Sequence, residues 1–296
     1  MTISKLLFIR CLSPLHAGTG QGVGAVDLPI TREVTTHLPY LPGSSIKGSL
    51  RAASSAQETQ ELTKTMFGPD TENASERAGS LVFSDARLVC LPVRSVYGTF
   101  AWATSPLLIQ RLLRDVKEVQ GVTINADLKA LNKVSTTTAR ISISDPSSLK
   151  DDKDMIYLED LDLRAEKCKN TGNLAKQLGE LLFDDETERE MFEKRFIVLH
   201  DDVLTFLSKH AVDIRTRTSI NPETKVVKNG QLWTEENLPT ESILAALVLE
   251  HGHLAHKTDQ DVWAGLARLC DSSIQFGGHA TTGHGRCEVI IKGGKS

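Results

Sequence analysis

Residues Ser13 to Arg51 read SPLHAGTGQGVGAVDLPITREVTTHLPYLPGSSIKGSLR and combine three different local patterns. The first is a loop from His16 to Asp27, with glycine at every second position from residue 18 to residue 24. Glycine reaches positive φ and permits close backbone approach, at a cost in conformational entropy. Four glycines in so short a loop indicate that it either moves or lets another molecule come near. The alternative is an ordinary glycine-rich loop before an ordinary solvated helix.

The end of the same stretch predicts the start of a helix. Prolines exclude a helix between residues 28 and 42, and either Ser44 or Ser45 is then a preferred N-cap. Lys47 and Arg51 are four residues apart and share one helix face. Backbone N–H groups at a helix N-terminus, beside two cations, suit a phosphate. The pattern therefore predicts an anion site at this helix start.

These segments resemble the RAMP superfamily, and within it the repeated backbone subunit of the type III-B CRISPR effector, the Cmr complex. The motifs that carry the resemblance read LSPLHxGxG from residue 12, VDLPIxR from residue 26 and PYxPGSSxKGxxR from residue 39. The resemblance is strongest over residues 6–51 and returns at 213–238 and 272–290. It implies a single RAMP domain over residues 1–296, with a ferredoxin-like core that resembles the RNA-recognition motif.

The composition is that of a globular protein without extreme bias. Of 296 residues, 40% are hydrophobic and 24% are charged, which allows an ample core. No apolar run approaches the ~18 residues that cross a membrane, and we expect neither a membrane partner nor a secretory signal. The five cysteines are widely spaced without a CxxC pair, so we expect reduced thiols and a cytoplasmic location.

The net charge of −4 argues against a freestanding nucleic-acid binder, because such binding depends largely on phosphate neutralisation. The charges are, however, unevenly distributed. Acidic clusters within residues 150–193 can face away from RNA. Five cations lie instead in the motif-bearing segments: Arg32, Lys47, Arg51, Arg215 and Arg217. A subunit that works inside an assembly needs only a local basic groove.

The order of the predicted elements favours an α+β fold. Strands are expected at 3–12, 79–89, 91–100, 194–199, 242–249, 273–279 and 286–292, and helices at 44–57, 106–116, 201–209 and 258–269. Asp201 or Asp202 is expected to cap the third helix, and Thr258 and Asp259 to begin the fourth. Residues 117–192 are polar and poorly periodic, so we interpret them as an inserted helical segment outside the core. Strand–helix–strand units in this order fit a ferredoxin-like core.

A long β-hairpin is predicted at about residues 212–238, with its turn at 221–224. The resemblance identifies it with the protruding β-hairpin thumb of the family, which wedges into the guide–target duplex and displaces a base pair at regular intervals. Arg215 and Arg217 share one face of a strand, which suits phosphate contact. Exposed edge strands that resist aggregation use the same alternation of arginine and threonine.

Asp27 lies between the glycine-rich loop and an apolar segment, where a lone carboxylate often caps a turn. The resemblance implies instead that Asp27 is required for target-RNA cleavage with a divalent metal, for which we expect Mg²⁺. This ion often takes only one or two protein carboxylates together with substrate phosphates. It would polarise the scissile phosphate and ease ionisation of the attacking 2′-hydroxyl. Asp27 would then either ligate the metal or orient the nucleophile.

Further candidates accompany Asp27. His16 is either a general acid or base, because imidazole titrates near neutral pH, or a structural residue that bonds its own loop. Glu235 and Glu236 close the hairpin, and the resemblance links such an acidic pair to the cleavage site. A charged hairpin base is the alternative. The family often has tyrosine at the next position, where this chain has Asn237, so a phenol is missing there.

Two other motifs are open to two readings. The histidines at 251, 253 and 256 have metal-like spacing, but the glycine at 252 favours an exposed turn. The run GGHATTGHGR from residue 277 resembles the RAMP glycine-rich loop. Gly277, Gly278 and Arg286 in it suit a phosphate cradle, although a glycine-rich hairpin turn explains them as well. Aromatic residues make up only 5%, so recognition should fall on RNA backbone and duplex shape rather than on stacked bases.

Three functions are compatible with these patterns. The favoured one is a backbone subunit that polymerises along a guide RNA, with further copies of itself and the other effector subunits, and cuts paired target RNA through Asp27. The second is a RAMP subunit that binds guide RNA without cutting. The third is a small-molecule phosphate enzyme that uses the glycine-rich loop.

Overall fold

The computed structural model describes residues 3–22, 24–69, 78–142, 148–251 and 261–294. The strands in chain order are β1 (Ile3–Cys11), β2 (Tyr40–Leu41), β3 (Leu81–Phe83), β4 (Ala86–Arg94), β5 (Phe100–Thr104), β6 (Thr138–Ile141), β7 (Met155–Leu158), β8 (Leu161–Lys167), β9 (Phe196–Val198), β10 (Asp213–Ile220), β11 (Val227–Asn237), β12 (Ile243–Glu250), β13 (Ile274–Gln275) and β14 (Arg286–Lys292). The helices are α1 (Gly43–Gln57), α2 (Gln60–Phe67), α3 (Pro106–Lys117), α4 (Leu128–Leu131), α5 (Lys169–Leu182), α6 (Glu186–Arg195), α7 (Asp201–His210) and α8 (Val262–Cys270). No helix in these ranges is long and apolar enough to cross a membrane.

Twelve of the described strands form one mixed sheet, which makes the fold α+β. Its order is β13-β14-β1-β12-β4-β5-β9-β6-β8-β7, with β2 added to β4 and β3 added to β12. β1 runs antiparallel to both of its neighbours, so that Phe8 lies opposite Ala245 of β12 and Ile290 of β14. The pairs β5–β9 and β6–β8 run parallel. The first predicted strand therefore lies inside the sheet, not at its edge.

β1 shows how the sheet buries both of its faces. Leu7 and Ile9 pack into one apolar cluster and Leu6 and Phe8 into another, because successive side chains of a strand point to opposite faces. The first cluster includes residues of α1, α2, α7 and α8, and the second includes residues of α3, α5 and α6. A strand buried on both faces has the near-continuous apolar run that the sequence displays.

α1 begins at Gly43, and neither predicted serine is its N-cap. Pro42 occupies the N-cap position without a side-chain hydrogen bond, and the Asp85 carboxylate accepts the Gly43 N–H at 2.8 Å. Gly43 is so closely packed that a Cβ would lie 2.4 Å from the Phe83 carbonyl oxygen. The prediction of Ser44 or Ser45 as the N-cap is therefore wrong, because an aspartate from the β3–β4 connection satisfies the helix start instead.

α7 is also capped differently from the prediction. The N-cap is His200, whose ring accepts the Asp202 N–H at 3.2 Å. The Asp201 carboxylate is used elsewhere, since it accepts the Leu107 N–H in the first turn of α3 at 2.9 Å. Neither aspartate caps α7, because one of them serves a helix almost a hundred residues away in sequence.

α8 starts at Val262 with Asp261 as its N-cap, whose carboxylate accepts the N–H groups of the next turn. The predicted start at Thr258 and Asp259 lies outside the described residues, as do His253 and His256. The proposed histidine trio can therefore be placed only at His251, which is exposed.

Residues 117–192 contribute to the apolar core, so the prediction that they lie outside it is wrong, and their described part contains three strands as well as helices. That they form an insertion stays a prediction. β6, β8 and β7 extend the main sheet, and α5 and α6 pack against it. Phe192 of α6 is fully buried, with ring centroids of Trp102, Phe183 and Phe196 at 5.2, 5.3 and 5.4 Å. The prediction failed because β6 and β7 have only four residues each, and because the buried face of α5 mixes leucines with threonine, alanine and glycine, which weakens its apolar pattern.

β10 and β11 pair only with each other and form a hairpin outside the main sheet. One face of this hairpin carries exposed apolar side chains, including Ile214, Ile220 and Leu232. The other face carries Arg215 and Arg217, as the alternation predicts. The base of the hairpin, in contrast, is packed against the rest of the protein.

We expect Phe192→Ala to lower the free energy of unfolding by about 3–5 kcal/mol, because it opens a cavity in a buried aromatic cluster. Phe206→Ala on α7 is the matched control: Phe206 is 47% exposed, and its truncation should cost less than about 1 kcal/mol. Chemical denaturation of both variants measures the difference. Equally small losses would show that residues 117–192 pack only loosely on the sheet.

Candidate functional site

The candidate site lies where three segments meet around His16. Leu15, just before the glycine-rich loop, and Leu238, after β11, exchange two backbone hydrogen bonds of 2.9 Å. Residues 276–285, here called the C-terminal loop, close the third side, since the Gly278 N–H donates to the His16 carbonyl at 2.9 Å. Segments far apart in sequence therefore hold this histidine from three directions.

His16 is 6% exposed, and its Nδ1 lies 2.7 Å from the carbonyl oxygen of Glu236. A carbonyl only accepts, so Nδ1 carries a proton and the neutral ring keeps its lone pair on Nε2. Glycines make this placement possible: a Cβ on Gly18 would lie 2.5 Å from Nε2, and one on Gly277 would lie 2.3 Å from the His16 carbonyl oxygen. His16 thus bonds the hairpin and not its own loop, with a defined tautomer.

Asp27 is exposed, but its carboxylate is fixed to β11. Its Oδ2 accepts the Thr234 N–H at 2.7 Å and the Thr234 hydroxyl at 2.9 Å. These hydrogen bonds lower the pKa of Asp27, because they favour the charged form. The side chain is therefore an ionised, oriented carboxylate at neutral pH. It anchors its segment to the hairpin instead of capping a turn.

The two candidate catalytic residues are held at nearby points of one strand. Asp27 is anchored at Thr234 and His16 at Glu236, which are two residues apart on β11. A strand rises about 3.4 Å per residue, so the two anchor points are about 7 Å apart. A cavity of about 450 Å³ opens beside Asp27. Its other lining residues are Gln21, Gly22, Leu28 and Trp233.

Glu236 and Arg32 form a buried support beneath this site. Arg32 Nη2 lies 2.5 Å from Glu236 Oε1, and Glu236 Oε2 accepts the Ile30 N–H at 3.0 Å. Arg32 also donates to the carbonyls of His37 and Ser208 at 2.8 and 2.9 Å. This bonding favours the alternative of a charged hairpin base over catalysis by Glu236. It likewise favours packing over RNA contact for Arg32.

Glu235 projects from the opposite face of β11 and is 1% exposed. Its Oε1 accepts the Trp233 indole N–H at 2.8 Å, and its Oε2 accepts from Arg217 Nε at 3.1 Å. Burial raises the pKa of Glu235, but these two hydrogen bonds and the nearby His279 outweigh burial and leave the pKa lowered. Glu235 is thus a buried carboxylate that stays ionised, and it touches the C-terminal loop, not Asp27.

Arg215 and Arg217 lie side by side, as the sequence predicts, but both already have partners. Arg215 pairs with Asp213 at 2.8 Å, and both guanidinium groups lie against His284 Nε2, at 3.3 and 3.0 Å. Burial and the two arginines lower the pKa of His284. The side chains of both arginines still reach solvent, so a phosphate can be added to this cluster without dismantling it.

The start of α1 offers fewer amides to a phosphate than predicted. The Gly43 N–H is taken by Asp85, and the Ser45 N–H donates to the Pro42 carbonyl. Ser44 is exposed, and Lys47 and Arg51 are half-buried on neighbouring turns. A contact with RNA at this helix would therefore depend on side chains more than on the helix end.

The C-terminal loop is likewise built around His16. Gly277 has a φ of +68° and packs on the His16 carbonyl, and Gly278 uses its N–H on the same oxygen. Gly278 therefore does not offer its N–H group to a phosphate. Arg286, at the start of β14, is exposed, as are both glycines.

Two residues of this site were missed in the sequence. Thr234, which orients Asp27, belongs to no recognisable sequence motif. His279 lies beside His16, with ring centroids 4.8 Å apart, and stands inside the run GGHATTGHGR, whose glycines explain the pattern without a role for its histidines. Among the described residues, no three of His, Cys, Asp and Glu form a group suited to a metal ion.

Comparison with known proteins gives the family. The model of the RAMP superfamily matches residues 8–288. The CRISPR system Cmr endoribonuclease Cmr4 of Pyrococcus furiosus is 31% identical over 290 residues, which cover 97% of this chain and 95% of that protein.

Two solved structures have the same fold. A crystal structure of oligomeric Cmr4 from Pyrococcus furiosus aligns with a TM-score of 0.70 at 23% identity, over 99% of both chains. A cryo-EM structure of the Type III-B Cmr-beta bound to cognate target RNA aligns with a TM-score of 0.74 at 20% identity, over 98% of this chain and 97% of the other. Because the family model spans nearly the whole sequence, this chain belongs to the RAMP superfamily.

Proposed function

We propose that this chain is the repeated backbone subunit of a type III-B CRISPR effector, which binds guide RNA and cleaves complementary target RNA through Asp27. One observation carries the proposal: the chain is similar over 97% of its length to the Cmr endoribonuclease of Pyrococcus furiosus. Its proposed partners are guide RNA, target RNA, further copies of itself and the other effector subunits. We place the effector in the cytoplasm, where its free cysteines remain reduced.

The geometry around Asp27 supports cleavage by attack of a 2′-hydroxyl. Both hydrogen bonds from Thr234 are accepted by Oδ2 of Asp27, and the carboxylate is exposed to solvent. The neighbouring His16 keeps the lone pair of Nε2 when neutral, since Nδ1 donates to Glu236. A carboxylate that orients the nucleophile and an imidazole that accepts its proton are suited to this chemistry.

A divalent metal, for which we expect Mg²⁺, fits this site only if RNA shares in its ligation. Asp27 would supply the single carboxylate, because the described residues contain no cluster of three ligating side chains. This is compatible with Mg²⁺, which commonly combines one or two carboxylates with substrate phosphates and water. When bound, the ion would place positive charge on the scissile phosphate.

The sheet order supports a ferredoxin-like core. β1, α1, β4, β12, α8 and β14 follow one another as strand–helix–strand–strand–helix–strand, and the four strands lie in the order β14-β1-β12-β4. Residues of α1 and α8 pack in one cluster on the same face. This is the arrangement of a ferredoxin-like unit, to which the other strands and helices are added.

We also propose that the β10–β11 hairpin is the thumb that wedges into the guide–target duplex. It stands outside the main sheet, and its apolar face, with Ile214, Ile220 and Leu232, is exposed. Apolar side chains can pack against an unstacked base, and Arg215 and Arg217 on the other face suit the RNA backbone. The base of this hairpin carries Thr234, which places the wedge next to Asp27.

Asp27→Asn should abolish target cleavage, with a loss of roughly a hundredfold or more, and leave guide and target binding nearly intact. The amide keeps an acceptor for Thr234 but removes the charge. Asp160→Asn is the matched control, because Asp160 is exposed in the β7–β8 turn. Cleavage of labelled target by the reconstituted effector with Mg²⁺ measures both. Full cleavage of the target by the Asp27→Asn effector would remove Asp27 from the mechanism. If even the wild-type effector binds the target RNA without cutting it, the chain is the purely structural RAMP subunit.

Deletion of the hairpin tip, residues 220–229, should spare the fold and disturb the regular spacing of target cuts. The reason is that the tip lies outside the main sheet, whereas the wedge would fix each scissile phosphate near an Asp27. Fragment sizes on a sequencing gel and a thermal melt are the two measurements. An unchanged ladder of fragments would show that the hairpin is not the thumb, and a collapse of the melting temperature would assign it to the core.

A further inference from the structure

His279 occupies a special position beside His16. Its ring lies 4.8 Å from the His16 ring, centroid to centroid and inclined at 59°, and its Nε2 lies 3.8 Å from Glu235 Oε1. The three side chains form a row: Glu235 is buried, His279 in the middle is 31% exposed, and His16 is buried. Neither the motifs nor the family resemblance gives His279 a role.

The backbone of His279 is held in a conformation that costs energy. Its φ of +62° lies in the left-handed region, which is strained for a residue other than glycine. Such strain persists only where the surroundings dictate the conformation. Here Gly277 and Gly278 pack on His16 and so fix the segment that enters the residue. The C-terminal loop therefore places this ring against His16 at an energetic cost.

Side chains of all three segments surround the His279 ring. Glu235 lies on its hairpin side and is itself bonded by Trp233 and Arg217. Among the described residues, His16 from the glycine-rich loop and His284 from the C-terminal loop, whose ring is 5.9 Å away, also face it. The His279 ring therefore lies between the hairpin carboxylate and His16.

We propose that His279 is a positioning residue for RNA cleavage, which holds His16 against the hairpin in the orientation that lets it accept a proton. This inference rests on the function proposed above. The His279 ring packs on the His16 ring, while the Glu236 carbonyl holds His16 Nδ1. In the neutral ring Nε2 is then the atom that accepts a proton from RNA.

Cleavage then proceeds by attack of the 2′-hydroxyl on the scissile phosphate. The 2′-hydroxyl gives its proton to His16 Nε2, its oxygen bonds to phosphorus, and the bond from phosphorus to the 5′-oxygen breaks. The 5′-oxygen takes a proton from water, and His16 returns its own proton to the hydroxide. The products are a 2′,3′-cyclic phosphate and a 5′-hydroxyl.

The test is His279→Gly in the reconstituted effector. Glycine adopts the left-handed backbone without strain, so the loop is preserved while the ring is replaced by a space that free imidazole can enter. The matched control is His37→Gly, since His37 also has a left-handed φ, of +58°, is exposed, and contacts Arg32 and Glu33 through backbone atoms that glycine keeps. Target cleavage is measured at saturating target with and without millimolar imidazole, alongside guide and target affinity. Asp27→Asn is run in parallel.

We expect His279→Gly to slow cleavage about tenfold or more, with unchanged RNA affinity, and added imidazole to restore most of the rate. His37→Gly should match the wild type, with or without imidazole. Wild-type cleavage by His279→Gly, or a loss that imidazole does not reverse, would overturn the role of His279 while leaving Asp27 in place. If the wild type itself does not cut, or Asp27→Asn cuts fully, the proposed function fails first and the inference fails with it.

Discussion

The hydrogen bond from His16 Nδ1 to the Glu236 carbonyl is the contact on which the rest of the site depends. It joins the glycine-rich loop to the base of the hairpin in a space too tight for any side chain on Gly18 or Gly277. The alternating glycines therefore have a steric reason at residue 18, where a Cβ would strike the imidazole. The absence of a side chain at Gly18 therefore makes room for the His16 ring, in addition to any mobility that the glycines give the loop.

The side chains of β11 contact a different segment on each face of the strand. Thr234 and Glu236 point to one face, where Thr234 holds Asp27 and Glu236 holds Arg32. Glu235, between them, points to the other face and meets the C-terminal loop. The period of two along a strand thus separates the contacts to Asp27 and Arg32 from the buried Glu235 carboxylate. The acidic pair read in the sequence as a single feature serves two different surfaces.

The sequence predicted those parts of the fold that depend on local patterns. The buried run of β1, the proline-led start of α3 and the alternating hairpin each leave a signature within a few residues. The parts that depend on distant partners could not be predicted: Asp85 caps α1 from another strand connection, and Arg32 meets Glu236 from more than two hundred residues away. Residues 117–192 were misjudged for a related reason, since their strands and helices become part of the core only through the sheet that they join.

The most direct measurement is a structure of the assembled effector with guide RNA and a target that carries 2′-deoxyribose at the cut nucleotides, so that it binds without being cut. Our account predicts that each scissile phosphate lies within about 5 Å of an Asp27 carboxylate, directly or through one bridging metal ion or water. It also predicts that the sugar of the cut nucleotide faces His16 Nε2. Scissile phosphates more than about 10 Å from every Asp27, too far for a single bridging group, would contradict the account.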